Sequence, residues 1–116
     1  FCPSILEEDY DKYIDSNIRS RFMTIALPVK KNISKLIPSC VHVDGTVRAQ
    51  IVDKKNNYRY WKLINEFKKI SGHGIVINTS FNIQGEPIVC TPRNSIRTFG
   101  ATGLDALAIG NYIVKK

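Results

Sequence analysis

Three polar residues at alternate positions follow a short apolar run in the segment IVINTSFNIQGEP. They are Asn78, Ser80 and Asn82, and an extended chain would place them on one face. Amides and hydroxyls are neutral hydrogen-bonding groups that suit phosphate oxygens, ribose hydroxyls or a urea-like group. The spacing therefore predicts a ligand-binding segment. The alternative is a polar loop whose side chains hydrogen-bond to their own backbone in Asx-type turns.

A second candidate is Arg48 in the segment VRAQIVD. Strand alternation puts Val47, Ala49 and Ile51 on one face of this segment. Arg48 then shares the opposite face with Gln50, where its planar guanidinium could bind a phosphate group through two parallel hydrogen bonds. The alternative is a surface arginine that pairs with a carboxylate.

Other residues that resemble site residues have simpler explanations. His42 lies among β-branched residues, which favours a packed histidine, and Asp44 precedes a glycine, which favours a turn. Glu86 precedes a proline in another turn, and the sequence assigns it no role. The run YRYWK, residues 58–62, interleaves aromatic and basic side chains, which is typical either of helix packing or of nucleic-acid stacking.

The elements that must position these residues alternate between strands and helices. Strands are predicted at residues 1–6, 21–29, 41–43, 46–52, 74–78, 104–110 and 111–114, and helices at residues 7–16, 56–72 and 91–103. Asp44-Gly45 predicts a hairpin turn, while Asn57 and Gly72 suit the start and end of the clearest helix. Tyr60, Leu63, Ile64, Phe67 and Ile70 form an apolar stripe on that helix. This order predicts a mixed α/β (α+β) fold in which helices pack on a sheet.

Composition limits the kinds of partner. The chain has 116 residues, which is enough for one domain, and its formal charge of +7 favours an anionic partner such as a nucleotide, a phosphate ester or a nucleic acid. A solvated basic surface is the alternative. Cys2, Cys40 and Cys90 are far apart, which is typical of reduced thiols in a cytoplasmic protein. No apolar run approaches the roughly 18 residues of a membrane span, and the start at Phe1 indicates a piece of a longer protein.

Several long motifs resemble the C-terminal region of the carbamoyltransferase family, which includes NodU-type nodulation proteins and O-carbamoyltransferases of antibiotic biosynthesis. These motifs are FCPSILEED, VHVDGTVRAQIV, VINTSFNIQGEPIVCTP and IRTFGATGLDALAIGNYIVKK. The resemblance extends over essentially the whole chain. The resemblance implies that residues 1–116 are the C-terminal part of a YrdC-like domain, with a mixed twisted sheet and packed helices. An N-terminal Kae-like domain of the same protein would precede it.

The resemblance also implies an activity. The YrdC-like domain of such a protein uses ATP, with Mg²⁺, and carbamoyl phosphate to form carbamoyl adenylate, and the N-terminal domain transfers the carbamoyl group to an acceptor hydroxyl. Arg48 matches the arginine of the family pattern H-V-D-G-x-x-R and is expected to contact phosphate. Asn78 and Ser80 match the N-T-S element of the nucleotide and carbamoyl site, and Asn82 matches the end of an S-x-N element. Arg48 and Ser80 are the expected catalytic residues, and no protein ligand to a metal is expected.

The sequence departs from the family pattern at its start. The family's K-x-R motif, just upstream of the segment that matches FCPS, does not occur in these 116 residues. We therefore expect the isolated chain to be inactive and to associate with itself through apolar surface or a sheet edge. A basic module that binds RNA or nucleotides without catalysis, and a structural piece that needs the rest of its protein, remain alternatives, although nucleic acid is the less favoured partner.

Overall fold

A computed structural model describes all residues 1–116, which form seven β-strands and three α-helices. In chain order these are β1 (Cys2–Leu6), α1 (Tyr10–Tyr13), β2 (Leu27–Pro28), β3 (Thr46–Val47), β4 (Gln50–Val52), α2 (Tyr58–Ser71), β5 (Ile75–Asn78), α3 (Pro92–Ala101), β6 (Ala106–Ile109) and β7 (Tyr112–Lys115). The chain divides into two compact units, Phe1–Thr79 and Ser80–Lys116. The mixed α/β fold predicted from the sequence is confirmed.

A three-stranded sheet forms the centre of the first unit, with β1 between β4 and β5. Ile5 of β1 lies opposite Ile51 of the parallel strand β4 and opposite Ile75 of the antiparallel strand β5. Because side chains alternate along a strand, these three isoleucines share one face of the sheet. The predicted first strand is thus confirmed, and it occupies the middle of the sheet.

Each face of this sheet buries its own apolar cluster. The first face packs on residues from α1, from β2 and β3, and from the loops next to them. The buried members of this cluster are Ile5, Tyr10, Tyr13, Ile14, Leu27, Val29, Cys40, Val47, Ala49, Ile51 and Ile75. The opposite face carries Leu6 and Val52, which pack against Ile64 of α2. Burial of these side chains provides the main force that holds α2 on the sheet.

Helix α2 begins and ends as predicted. The Asn57 side chain accepts a hydrogen bond from the Tyr60 backbone N–H at 3.3 Å, and Gly72 ends the helix with a φ of 80°. The predicted apolar stripe is buried only in part, since Ile64 is fully buried while Ile70 is 87% exposed. No helix in the chain has both the length and the apolar character needed to cross a membrane.

Two strand predictions were wrong. In residues 21–29 only Leu27–Pro28 forms a strand, because the chain bends around Met23, whose φ is 59°. The turn at Gly45 forms, with a φ of 78°, but residues 41–43 are not a strand and no hairpin results. Instead, the strand predicted at residues 46–52 forms two short strands in different sheets: β3 pairs with β2, and β4 pairs with β1.

The second unit consists of a helix and a hairpin. The Thr91 hydroxyl caps α3 by accepting a hydrogen bond from the Asn94 backbone N–H at 3.1 Å, and Pro92 is the first helical residue, as predicted. Strands β6 and β7 pair antiparallel around Gly110, whose φ is 57°. These two strands confirm the closing strands predicted from the sequence.

A buried carboxylate joins three elements of the first unit. Asp9, which follows β1, places one oxygen 2.6 Å from Lys12 Nζ and the other 2.6 Å from Lys68 Nζ of α2. A Cβ atom added to Gly74, at the entry to β5, would clash with Asp9 Oδ2, so any side chain there would have to displace the carboxylate. Burial raises the pKa of Asp9, but the two ammonium groups lower it by more, so its pKa lies below the ordinary 3.8.

We predict that Gly74→Ala lowers the free energy of unfolding by about 1–3 kcal/mol, because the new methyl group forces the Asp9 carboxylate away from Lys68. Urea unfolding at neutral pH measures this change. Gly100→Ala is the matched control: a Cβ there meets no atom within 4 Å, and the helical alanine should stabilise by about 0.5–1 kcal/mol. Equal stabilities for the Gly74 variant and the parent chain would contradict the close approach.

Asp9 should also make stability depend on pH. Its pKa is lower in the folded chain than in the unfolded chain, so its contribution is present above about pH 3.8 and is lost as the pH falls through the folded value. We therefore expect Asp9→Asn to be less stable than the parent chain at pH 7, with a difference that shrinks steadily below pH 3.8. Urea unfolding of both chains from pH 7 to pH 3 measures it. A difference independent of pH would show that the charge of Asp9 does not stabilise the fold.

Candidate functional site

The face of the sheet that α2 covers has a polar end. Gln50 Oε1 accepts a hydrogen bond from Ser4 Oγ at 2.8 Å and another from Asn78 Nδ2 at 2.7 Å. Ser4 is fully buried, while Gln50 and Asn78 are half-buried. Alternation places these three residues, which we call the polar cluster, on the same face as the apolar residues beneath α2. The polar cluster therefore joins all three strands at one end of this face.

Arg48 lies two residues before Gln50, in the short gap between β3 and β4. Its neighbours Val47 and Ala49 are fully buried and Arg48 is exposed, so the alternation predicted for this segment is confirmed. Arg19, Arg21 and Arg97 each pair with a carboxylate, whereas Arg48, like Arg59 and Arg93, pairs with none. The alternative of a surface ion pair is thus not observed, and the guanidinium is free to bind an anion.

The polar segment after β5 does not continue as an extended chain. Strand β5 ends at Asn78, and the backbone bends at residues 81–82, so strand alternation does not relate Asn82 to Asn78. The Asn82 side-chain nitrogen donates to the backbone carbonyl oxygens of Ile83 and Glu86 at 3.1 and 3.0 Å. Asn82 therefore has the loop-capping contacts of the alternative interpretation. Ser80 is exposed at the start of the second unit, and ligand contacts by Ser80 and Asn82 stay predictions.

Gln50 is the residue that sequence reasoning did not assign to the site. The alternation of VRAQIVD already indicates that Gln50 shares the face of Arg48. Its contacts with Ser4 and Asn78, however, depend on the register of β1 against both of its neighbours. No local pattern in the sequence encodes that register.

His42 and Asp44 stabilise the turn before β3. The backbone N–H and the hydroxyl of Thr46 both donate to Asp44 Oδ1, at 3.0 and 2.7 Å, and these bonds lower the pKa of Asp44 below its ordinary value. His42 Nδ1 lies 3.2 Å from the same hydroxyl. In the second unit, Glu86 pairs with Arg97 at 2.5 Å. These contacts give all three residues structural roles.

The aromatic residues at the start of α2 pack within the protein. Trp61 donates its indole N–H to the Glu8 carboxylate at 3.0 Å, and its ring stacks on Tyr58 at a centroid distance of 6.3 Å. Lys54 Nζ lies 5.0 Å from the ring centroid of Trp61. Trp61 also contacts the apolar cluster beneath α2. The packing interpretation is therefore favoured over stacking on nucleic acid.

Comparison with known proteins identifies relatives over the full length of the chain. The family model described as carbamoyltransferase C-terminus matches residues 1–116. An uncharacterized protein of Methanocaldococcus jannaschii is 44% identical over 116 residues, which cover all of this chain and 19% of that protein. Nodulation protein NolNO of Sinorhizobium fredii is 42% identical over 119 residues, covering all of this chain and 18% of that protein. The 3'-hydroxymethylcephem-O-carbamoyltransferase of Amycolatopsis lactamdurans is 25% identical over 110 residues, covering 95% of this chain and 21% of that protein.

We predict that Gln50→Leu lowers the free energy of unfolding by about 1–3 kcal/mol, because it leaves the buried Ser4 hydroxyl and the Asn78 amide without their acceptor. Urea unfolding measures the loss. Arg48→Ala is the control: its side chain is exposed and unpaired, so the change should stay within about 0.5 kcal/mol. A Gln50→Leu chain as stable as the parent would contradict the polar cluster.

Proposed function

Because the chain belongs to the carbamoyltransferase family, as the C-terminal region of its members, we propose that it forms part of the nucleotide and carbamoyl site of an O-carbamoyltransferase. The chain spans only 19% and 18% of the lengths of two close relatives, so the proposed activity is that of the complete gene product. The observation that carries the proposal is the polar cluster of Ser4, Gln50 and Asn78, which the exposed and unpaired Arg48 precedes by two residues along the chain.

The proposed reaction has two steps, the formation of carbamoyl adenylate and the transfer of the carbamoyl group. In the first step water cleaves the P–O bond of carbamoyl phosphate, which releases inorganic phosphate and carbamate, and a carbamate oxygen then attacks the α-phosphorus of ATP. A new P–O bond forms, the bond to the bridging oxygen breaks, and pyrophosphate leaves. In the second step the acceptor hydroxyl attacks the carbamoyl carbon, AMP leaves, and the hydroxyl proton passes to solvent. The N-terminal Kae-like domain of the same protein would carry out this transfer.

Arg48 would stabilise the charge that builds on the phosphoryl oxygens in the first step. A guanidinium presents two parallel N–H donors, which match two oxygens of one phosphate. Since Arg48 has no carboxylate partner in the protein, it need not break an ion pair before it binds substrate. Donors aimed at the place where charge develops are usually the largest single contribution to lowering the barrier.

Asn78 would recognise the carbamoyl group through its oxygen. Its Nδ2 donates to Gln50 Oε1 at 2.7 Å and lies 3.9 Å from Met23 Sδ, so the nitrogen is already engaged. The Oδ1 atom remains as an acceptor for the N–H groups of a carbamoyl amide. Ser80 would donate its hydroxyl to a phosphate or carbamoyl oxygen, and Asn82 would hold the turn that follows.

The remaining parts of the proposal concern Mg²⁺, location and association. Mg²⁺ would enter with ATP, because this cation is usually bound through substrate phosphates and few protein ligands. All three cysteines are free, which suits a reducing compartment such as the cytoplasm. We also propose that the 116 residues alone do not turn over substrate, and that the isolated chain can form homo-oligomers through exposed apolar side chains.

We predict that Arg48→Ala and Ser80→Ala, made in the complete gene product, each reduce pyrophosphate release from ATP and carbamoyl phosphate by about 10²-fold or more, because each removes a donor to a developing charge. Arg48→Lys should recover only part of the loss, since an ammonium group cannot form the bidentate contact. The assay measures pyrophosphate with and without carbamoyl phosphate.

Arg59→Ala is the matched control for this experiment. Arg59 is also an exposed arginine in the first unit, so its replacement changes the net charge by the same amount. It lies in α2, outside the proposed site. Normal turnover in both the Arg48→Ala and Ser80→Ala variants would refute the assignment of these residues. Absence of pyrophosphate release from the parent protein would refute the proposed reaction itself.

A further inference from the structure

Two amide atoms of the polar cluster have no partner in the protein. Asn78 Oδ1 and Gln50 Nε2 make no hydrogen bond within the chain, and neither atom is buried. Both atoms are therefore accessible to a ligand. The kind of atom that Asn78 presents depends on the orientation of its amide, because an amide turned over by about 180° presents a donor nitrogen in place of an acceptor oxygen.

The neighbours of Asn78 hold its amide in one orientation. The Nδ2 group carries two N–H bonds and accepts none. Gln50 Oε1 lies 2.7 Å from this nitrogen and Met23 Sδ lies 3.9 Å from it, and both neighbours are acceptors. An amide turned over would place its oxygen against these two acceptors, which would repel it. Asn78 Oδ1 therefore faces away from both and is left for a ligand.

Ser4 holds the amide of Gln50 in turn. Its hydroxyl donates to Gln50 Oε1 at 2.8 Å and makes no other hydrogen bond. Oε1 thus accepts one hydrogen bond from Ser4 and one from Asn78, which occupies both of its lone pairs. Ser4 is fully buried in the central strand β1, so it cannot contact a ligand itself. Any effect of its hydroxyl on ligand binding must pass through Gln50.

The backbone bend at Met23 brings its sulfur to Asn78. Met23 is the only residue other than glycine with a positive φ, at 59°, a conformation that is sterically unfavourable for a residue with a Cβ atom. Such residues persist where the surrounding structure holds them in place, and they are concentrated at functional sites. The contact with Asn78 Nδ2 gives the bend at Met23 a role in the polar cluster.

A fixed acceptor oxygen favours a ligand that carries an N–H group. Carbamoyl phosphate has an NH₂ group where acetyl phosphate has a methyl group, and the two molecules are otherwise similar in shape and charge. The NH₂ group can donate to Asn78 Oδ1, whereas the methyl group would remove water from this oxygen and leave it without a hydrogen bond. If Asn78 presented its nitrogen, two donors would face each other and the preference for the NH₂ group would be lost.

We propose that Ser4 and Gln50 are positioning residues that fix the orientation of the Asn78 amide, and that the fixed oxygen selects carbamoyl phosphate against acetyl phosphate. The inference rests on the proposed function, because it concerns the carbamoyl donor of that same reaction. Ser4 and Gln50 act through Asn78, which is the residue of the polar cluster that contacts the carbamoyl group.

The test compares carbamoyl phosphate with acetyl phosphate as substrates of the complete gene product, through kcat/KM for pyrophosphate release from ATP. Water would release acetate from acetyl phosphate, and acetate would then attack ATP as carbamate does. We expect the parent protein to prefer carbamoyl phosphate by about 10²-fold or more. Ser4→Ala should lower this preference about tenfold, and Gln50→Met should lower it at least as much.

Gln50→Glu is the conservative variant and should retain the preference. Both carboxylate oxygens accept hydrogen bonds, so the Ser4 hydroxyl and Asn78 Nδ2 keep their acceptor. Its added negative charge should slow the turnover of both substrates equally, because both carry a phosphate group. The ratio of the two kcat/KM values therefore separates the orientation of Asn78 from the charge of the site.

Ser20→Ala is the matched control, because Ser20 is also buried but its hydroxyl contacts that of Thr24, at 3.1 Å, and no member of the polar cluster. A purely structural change lowers the turnover of both substrates equally, so the ratio should stay at the parent value. Urea unfolding curves show whether each variant folds. Ser4→Ala removes a single oxygen atom, and it decides the question if Gln50→Met does not fold.

An unchanged preference in Ser4→Ala would overturn the inference, and so would equal turnover of the two substrates by the parent protein. Either result would leave the proposed function standing. A parent protein that releases no pyrophosphate with carbamoyl phosphate would overturn both.

Discussion

The buried carboxylate of Asp9 is the interaction on which the geometry of the first unit depends. It contacts Lys68 of α2 and lies directly against Gly74, so it fixes the helix and the start of β5 relative to the end of β1. The Leu6 backbone N–H also donates to the Gly74 carbonyl at 3.0 Å, which extends the pairing between β1 and β5. A buried charge is costly unless its partners are in place, so an alternative register would leave Asp9 uncompensated. The position of Asn78 at the far end of β5 follows from this constraint.

The sheet face beneath α2 has side chains from alternate strand positions, and these side chains form both the packing contact with α2 and the polar cluster. The side chains on this face are apolar at one end, where Leu6 and Val52 contact Ile64, and polar at the other. At the polar end Gln50 satisfies both Ser4 and Asn78, so the buried hydroxyl has its hydrogen bond without a ligand. The polar end is therefore ordered in advance, which reduces the entropy that a bound ligand must offset.

Local signals in the sequence were sufficient for the elements with a distinct start and end. Helix α2 has Asn57 at its start and Gly72 at its end, and α3 has Thr91 followed by Pro92, so caps alone located both helices. The burial of residues 47–51 followed from alternation, and it correctly left Arg48 exposed. These features depend on interactions within a few residues, which a single sequence displays directly.

Strand partners could not be predicted in the same way. The turn predicted at Asp44-Gly45 forms, but strand β4 pairs with β1 and not with residues 41–43. Gln50 then lies opposite Ser4, which is far away in the sequence, and no turn residue indicates this pairing. The segment RFMTIALPV has high β propensity, but the positive φ of Met23 interrupts it and directs Phe22 and Met23 to different surroundings. Asn82 likewise matches a ligand-binding spacing while its amide nitrogen serves a turn. For the strands, a partner distant in sequence or a bend in the chain decides the outcome, whereas the contacts that decide the role of Asn82 lie within four residues.

The placement of charge shows why net composition is a weak guide to the site. A charge of +7 indicates an anionic partner, but most positive side chains are dispersed over the surface, and several are neutralised by local carboxylates. Arg21 and Arg48 differ in the surroundings of the guanidinium: Arg21 has two acidic neighbours, whereas Arg48 has none. An anion gains most from the cation whose charge nothing else compensates. The positions of the carboxylates, which a net charge does not describe, therefore decide which arginines remain free to bind an anion.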